Sequence, residues 1–391
     1  MAVSNKITPN LSLDEVLEIC SKNGNVFGGT AITVSELKSE PVINLISAGK
    51  GFCSYVYQIK LSTDKNDYSF VAKIPSTRNY EPSPDLPPDE QVQQKEIRIK
   101  MISELHSNEI KFYELCRTHH FGSLKIPKYY FGREMSENQE GLILMEDLSQ
   151  KCQTSLFKGL QFLNVQQIKE SIVEIAKLQA WGFTVSEAET TLGKLDTFKS
   201  VLNFYFNQSL EKLNEQGYPW FTVERLEKLK KAATFEEFNN GCMGNFMLPL
   251  VLSHDDFWAG NLLFADDGTL LTILDWQISR FTSPTQDFAA LLALGLPSEQ
   301  RRKCEMKYLQ FYYDTLKHYL DEFNVQDDKG YRNLNFEDLK KVYRISLKIS
   351  IFRVIITWQN YDTLNPALNG NCEPPLQNLI RCLLEDLEDF L

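Results

Sequence analysis

Leu252-Ser253-His254-Asp255-Asp256-Phe257-Trp258-Ala259-Gly260-Asn261-Leu262-Leu263-Phe264, followed by Ile273-Leu274-Asp275-Trp276, is the stretch around which the chain is organised. Its spacing is His-x-Asp-x-x-x-x-Asn, with a further aspartate closing an apolar run. Phosphoryl transfer needs those groups: one carboxylate beside the attacking hydroxyl, and oxygen ligands for the Mg²⁺ that bridges nucleotide phosphates. Asp256 is the candidate for the first role, and Asn261 with Asp275 for the second. The flanking runs Val251-Leu252, Leu262-Leu263-Phe264 and Leu270 to Leu274 are expected to be short buried strands that hold the loop rigid. Asp266-Asp267-Gly268 reads as a turn between two of them. A surface hairpin carrying chance acids is the bland alternative, and the rest of the chain weighs against it.

The chain has 391 residues, enough for two lobes. Its 41 basic and 52 acidic side chains give a net charge of −11, which argues against a nucleic-acid or anionic-membrane surface. A nucleotide is itself an anion, so a nucleotide site here must bring its own cations. No signal-peptide core follows Met1, and the longest uncharged apolar run, Phe288 to Leu296, is far too short to span a membrane. The eight cysteines are scattered without a Cys-x-x-Cys pair, so reduced thiols and a cytoplasmic location are expected, with neither zinc nor disulfides. No protein partner is readable.

The first 40 residues hold one expected helix, begun by Ser12 and Glu15 at capping-box spacing and packed on the first lobe. Residues 42–74 alternate as three antiparallel strands, about 42–48, 52–61 and 68–74, with Cys53, Tyr55, Tyr57, Ile59 and Leu61 on one face. Between the first two strands, Gly49, Gly51, Ser54 and Val56 match Gly-x-Gly-x-x-Gly-x-Val, with Ser54 replacing the third glycine. Glycines there let backbone N–H groups approach phosphate, although an ordinary hairpin turn explains two glycines equally well. Lys73 strengthens the phosphate reading. It shares a strand face with Val71, so Val56 and Val71 are placed to sandwich a flat base while Lys73 reaches the phosphates. After a proline-rich loop, a helix is predicted over about 89–118 with Met101, Leu105, Phe112 and Cys116 as its apolar stripe. Glu109 falls on the edge of that stripe, where an unpaired carboxylate is costly, and Lys73 is its natural partner, a nearby surface lysine being the alternative. Glu104 and Glu114 fall elsewhere and are expected in solvent. Strands over about 128–131 and 141–146 complete a five-stranded sheet, ending at Met145-Glu146-Asp147-Leu148.

From residue 149 the periodicity turns helical. Ile168, Ile172, Ile175 and Gln179 recur on one face, and further helices are expected near 194–215, 222–239, 284–295, 298–323, 336–361 and 373–390. A sheet-rich first half and a helix-rich second half make an α+β chain of two lobes, 1–147 and 148–391. The large aromatics of the second half, Trp181, Phe204, Trp220, Tyr312, Tyr313 and Trp358, are expected mostly in the core.

Taken together, these segments resemble the protein-kinase-like superfamily, and its small-molecule branch more than protein kinases. Asp275 is not followed by Phe-Gly, no Ala-Pro-Glu lies downstream, and Pro284-Thr285-Gln286-Asp287-Phe288-Ala289 is similar to a segment of aminoglycoside and choline kinases. Gly49-Lys50-Gly51-Phe52, Asn108-Glu109-Ile110-Lys111-Phe112-Tyr113, Met145-Glu146-Asp147-Leu148 and Asp256-Phe257-Trp258 with Asn261 resemble the ecdysteroid kinase-like (CHK kinase-like) family over about residues 40–365. That resemblance implies a two-lobed protein-kinase-like fold and an Mg²⁺- and ATP-dependent phosphotransferase acting on a small-molecule hydroxyl, with a steroid-like alcohol suggested by the family's name. It implies that Asp256 orients or deprotonates the acceptor, that Asn261 and Asp275 bind Mg²⁺, and that Lys73 meets the phosphates. Glu146 and Leu148 mark the hinge, where backbone groups meet the adenine edge, and His254 and Asp287 brace the loop. Two positions depart from the family: Asp255 stands where glycine is frequent and adds negative charge, and Gly260 stands where asparagine is frequent. Gln179 stands where relatives often have histidine. The competing readings are a nucleotide- or ligand-binding module of weak catalysis, against which the full set Lys73, Glu109, Asp256, Asn261 and Asp275 speaks, and a protein kinase, which lacks its activation-segment signature here.

Overall fold

The structure, a computed structural model, describes residues 6–23, 26–47, 53–77, 86–152, 162–231, 248–326, 330, 334–364, 374–386 and 388. It divides into two compact units, Met1–Glu114 with Ile126–Cys152, and Leu115–Lys125 with Gln153–Leu391.

In the first unit, β1 (Lys6–Thr8) and β2 (Leu11–Ser12) form a small ladder that runs into α1 (Leu13–Lys22). Ser12 Oγ accepts from Glu15 N at 3.1 Å, which is half of the expected capping box. The other half is missing because the Glu15 carboxylate turns to Arg133 at 2.7 Å. β3 (Val42–Leu45), β4 (Ser54–Ser62), β5 (Asp67–Pro75), β6 (Tyr129–Arg133) and β7 (Leu142–Glu146) form one antiparallel sheet in the order β3-β4-β5-β7-β6. β4 and β5 stay in register from Ser54 opposite Pro75 to Ser62 opposite Asp67, so residues of one parity share a face throughout.

That parity separates two surfaces. Ile59, Phe70, Ala72, Ile74, Leu142 and Leu144 face a buried cluster completed by Leu13, Val16, Leu17 and Cys20 of α1. The N-terminal segment therefore packs on the sheet as expected, and each such aliphatic side chain stabilises the unit by roughly 1.5–3 kcal/mol. On the other face, Gln58, Val71 and Met145 lie in one cross-strand row and Val56, Lys73 and Ile143 in the next. α2 (Pro88–Thr118) presents Glu109 to that face, and its stripe of Met101, Leu105, Phe112 and Cys116 is buried. Glu114 is not simply solvated, because it accepts from Tyr129 Oη at 2.9 Å.

The second unit contains α3 (Val165–Gly182), α4 (Ala188–Thr191), α5 (Asp196–Glu215) and α6 (Val223–Lys231). The expected continuation of the last helix to residue 239 lies outside the described residues. Four short strands follow: β8 (Val251–Ser253), β9 (Leu262–Phe264), β10 (Leu270–Ile273) and β11 (Arg280–Thr282). β9 and β10 pair as a hairpin whose turn places Gly268 at φ 86°, and β8 pairs with β11, Ser253 opposite Arg280. The helices α7 (Gln286–Gly295), α8 (Ser298–Glu322), α9 (Phe336–Leu364) and α10 (Pro374–Asp386) complete the unit.

All ten residues of α7 are buried, the polar Gln286 and Asp287 of its first turn included. Two buried polar side chains of α3 and α8 meet the carbonyl that precedes it. Tyr312 Oη donates to Pro284 O at 2.7 Å, Gln179 Nε2 donates to the same carbonyl at 2.9 Å, and the two side chains bond each other at 2.5 Å. Gln179 thus ties α3 and α8 to the turn before α7. Trp181 stacks on Phe121 at 4.5 Å within the core, whereas Phe204 is 62% exposed on α5 and is not a core residue. Trp358 lies outside the residues whose side chains are described. Among the described residues no helix is long and apolar enough to cross a membrane.

Candidate active site

In the first unit, Lys73 Nζ donates to Glu109 Oε2 at 2.5 Å, and the side chains are 10% and 1% exposed. β5 sets the position of Lys73, since its cross-strand neighbours are Val56 on β4 and Ile143 on β7. Val71 is buried, Val56 half-buried and Ser54 buried. Val56, Val71 and Lys73 therefore share one face of the sheet, two apolar side chains beside a cation. Gly49 and Gly51 lie outside the described residues.

The segment after β7, expected to be the hinge, carries a feature that the sequence reading missed. The Asp147 carboxylate accepts from Gln58 Nε2 at 2.9 Å, Ser69 Oγ at 2.5 Å and Ser149 N at 2.9 Å. Gln58 Oε1 in turn accepts from Asn44 Nδ2 at 3.1 Å, so the amide is oriented from both ends. This lashes the segment after β7 to the same sheet face as Val71. Glu146 N bonds Lys128 O at 2.9 Å and its carboxylate pairs with Lys151, while Leu148 O accepts from Lys151 N. Gln58 shares its strand face with Ser54 and Lys60, so no sequence pattern singled out its contact with Asp147.

In the second unit, β8 ends at Ser253 and the chain turns sharply. Asp255 has φ 64° and Asp275 has φ 66°, a left-handed conformation costly for side chains other than glycine. The turn is held by Asp287, whose Oδ2 accepts from His254 N at 2.7 Å and whose Oδ1 accepts from Asp255 N at 2.8 Å. His254 Nε2 donates to Leu274 O at 2.8 Å, which leaves Nδ1 to accept from Asp256 N at 3.2 Å. This pairing requires neutral imidazole, and burial pushes the His254 pKa down to about 4. With Trp276 edge-on at 4.5 Å, the ring is a brace and not a base.

Asn261 closes the loop. Its Nδ2 donates to both Asp256 O and Asp256 Oδ2 at 2.9 Å, and its backbone carbonyl accepts from Leu274 N at 2.8 Å. Asp256, Asn261 and the 274–275 turn are therefore one connected constellation. Burial, with the neighbouring Asp275 and Asp255 charges, raises the Asp256 pKa to about 6 against the opposing pull of Arg353 and Asn261. Asp287 rises to about 7, first through burial and then through Asp255. The donor set fits Mg²⁺: with both Nδ2 hydrogens used, Asn261 offers Oδ1, and Asp275 supplies a carboxylate. Among the described residues no group of three or more His, Cys, Asp or Glu side chains forms a metal cage. Mg²⁺ typically takes one or two protein carboxylates and fills its remaining positions with water and phosphate oxygens.

Both departures from the family loop have local causes. The charge of Asp255 is not left open towards the site, because Arg280 Nε bonds its Oδ2 at 2.5 Å and Arg353 Nη2 bonds its Oδ1. Arg353 stands 98 residues further along the chain, and no spacing pattern announces it. At Gly260 a Cβ would come within 2.5 Å of the Trp258 ring, so asparagine does not fit this loop as it is folded.

Residues 28–391 match the family DUF1679, described as "Uncharacterized oxidoreductase dhs-27". The Caenorhabditis elegans "Uncharacterized kinase-like protein D1044.1" is 24% identical over 332 residues, covering 80% of this chain and 84% of that protein. The C. elegans "Uncharacterized oxidoreductase dhs-27" is 20% identical over 342 residues, which is 81% of this chain but only 40% of that protein. Among solved structures, Plasmodium vivax ethanolamine kinase aligns over 98% of this chain and 91% of its own, with TM-score 0.45 and 14% identity. Choline kinase LicA from Streptococcus pneumoniae aligns over 85% and 90%, with TM-score 0.38 and 13% identity.

Proposed function

The chain belongs to the DUF1679, or ecdysteroid kinase-like, family of the protein-kinase-like superfamily, and from that premise we propose that it is an Mg²⁺- and ATP-dependent phosphotransferase acting on a hydroxyl of a small molecule. The observation that carries the proposal is the pair of hydrogen bonds from Asn261 Nδ2 to the backbone carbonyl and carboxylate of Asp256. It fixes one carboxylate oxygen and leaves the other for an acceptor hydroxyl, while turning the amide oxygen outward as a metal ligand. A nucleotide-binding module without chemistry has no need of that arrangement.

When bound, Mg²⁺ neutralises charge that builds on the transferring phosphoryl group. Asn261 Oδ1 and Asp275 would hold it. Lys73, fixed by Glu109, contacts the α- and β-phosphates, with the backbone at Gly49, Gly51 and Ser54 around them. Val56 and Val71 take the base, and Glu146 and Leu148 present backbone groups to its edge. Asp256 accepts the acceptor's hydroxyl proton as that oxygen bonds to the γ-phosphorus and the bond to ADP breaks. Such a base contributes about 10²–10⁴-fold, and positioning with charge stabilisation supplies most of the rest.

The proposed acceptor is a steroid-like alcohol, and the proposed location is the cytoplasm, where ATP is held. The test is γ-labelled ATP with a metabolite extract divided into lipid and polar fractions, using wild type and Asp256→Ala. Label is expected in a lipid-fraction alcohol with wild type alone, while the variant keeps Mg·ATP affinity and thermal stability. Equal labelling by both proteins would remove Asp256 from the chemistry. Label in a polar amine would replace the acceptor class but not the reaction.

A further inference from the structure

Two aspartates stand side by side at positions 255 and 256, and only one has a role in the proposed chemistry. Asp255 occupies φ 64°, a conformation that glycine adopts freely and that aspartate tolerates better than most side chains. Backbone geometry therefore allows an acid there but does not require one. Its carboxylate does: Arg280 Nε sits on Oδ2 at 2.5 Å and Arg353 Nη2 on Oδ1, with the arginine side chains 11% and 14% exposed. Arg280 arrives on β11, in register with Ser253, and Arg353 arrives on α9.

Two nearly buried cations need a carboxylate, and beyond Asp255 the charge of Arg353 also acts on Asp256 and Asp287. Asp287 already spends both oxygens on the N–H groups of His254 and Asp255. Without Asp255, the adjacent Asp256, on which the charge of Arg353 already acts, is a carboxylate that Arg353 can take.

We propose that Asp255 is a positioning residue that holds Arg280 and Arg353 away from Asp256, so that the lone pairs Asp256 needs for the acceptor's proton stay open. The inference rests on the assigned role of Asp256 and extends it to a cluster drawn from the catalytic loop, β11 and α9. A guanidinium on Asp256 would occupy the lone pairs that an incoming hydroxyl must reach.

The test is the sign of the epistasis between Asp255 and Arg353. Full-length wild type, Asp255→Gly, Arg353→Met and the double variant are assayed for Mg·ATP hydrolysis, with water as the acceptor, and for Mg·ATP binding by calorimetry. Asp255→Gly keeps the backbone conformation, and turnover is expected to fall about 10–100-fold, part of a general base's usual contribution, while Kd for Mg·ATP stays within about threefold. Removing Arg353 as well is expected to return turnover to within about fivefold of wild type. Where Asp255→Gly does not fold, Asp255→Asn keeps the side-chain volume and takes its place.

A double variant no faster than Asp255→Gly overturns the proposal, since mere loss of packing accumulates. The crystal structure of the Asp255 variant gives a readout independent of turnover. A hydrogen bond between Arg353 and Asp256 supports the proposal, and Arg353 left away from Asp256 overturns it. Absence of ATP hydrolysis and binding in wild type would count against the phosphotransferase reading, and the crystal structure would still decide the charge-holding role.

Discussion

Lys73 and Glu109 bury opposite charges 2.5 Å apart, and a pair of that kind responds differently to losing one member than to losing both. Lys73→Met leaves the Glu109 carboxylate in a site 1% exposed and is expected to cost roughly 3–5 kcal/mol of stability. Lys73→Met with Glu109→Leu removes the buried negative charge as well and is expected to recover most of that loss. Nucleotide affinity should stay low in both, because neither restores a cation for the phosphates. Urea denaturation beside Mg·ATP calorimetry separates the two effects; recovered affinity in the double variant would show that Lys73 serves the fold alone. The pairing was legible because a carboxylate on the edge of an apolar helix stripe demands a partner and Lys73 was the nearest candidate by pattern. Asp255 misled for the complementary reason. Its added charge was readable, but its arginines arrive from β11 and α9, and a salt bridge between distant segments leaves no local periodicity.

At the scale of elements, the loop from β8 to β9 depends on close approach of its own parts. Gly260 lies in the 3₁₀ turn Ala259–Asn261, under the ring of Trp258. Gly260→Ala places a methyl within 2.5 Å of that ring, so either Trp258 rotates or the turn opens. Overpacking of this kind usually costs about 1–3 kcal/mol, and the turn it disturbs also carries Asn261. The expected result is a loss of turnover larger than the loss of stability, with Mg·ATP hydrolysis and thermal unfolding as paired measurements. Unchanged turnover would mean that Asn261 is positioned independently of the turn. The elements themselves were legible wherever periodicity and punctuation agreed. The alternation of β4 and β5, the apolar stripe of α2 and the buried runs of β8 to β10 each expose their burial pattern in the order of residues. The Asn164–Gln167 capping box that starts α3 obeys a local rule in the same way. Phe204 failed the same reasoning because an aromatic at helical spacing does not say which side of α5 faces the core.

At the scale of the whole molecule, buried titratable groups of both units set how stability depends on pH. His106 on α2 is 4% exposed, and its Nε2 donates to Arg133 O at 2.9 Å. Burial, aided by the charge of Lys73, lowers its pKa from 6.5 to about 4. The unfolded chain therefore binds a proton that the folded chain refuses between those values, and stability falls as the solution is acidified. The contribution is fully present above pH 6.5 and is lost as pH drops through about 4. Its limit is roughly 3 kcal/mol, at 1.36 kcal/mol per pKa unit. Asp256 and Asp287 act in the opposite sense, since pKa values raised to about 6 and about 7 stabilise the acidic side and lose that contribution as pH rises. The acid limb of the whole chain is thus a difference, and one histidine has to be isolated within it. His106→Gln keeps a donor for Arg133 O but cannot be protonated. The stability gap between wild type and this variant should shift by roughly 3 kcal/mol in the variant's favour between pH 7 and pH 4, read by urea denaturation without metal or nucleotide. A gap that stays constant across that range would mean that His106 titrates alike in the folded and unfolded chains. The acid sensitivity would then have to come from His254 in the loop between β8 and β9, or from carboxylates held below their usual range such as Asp147.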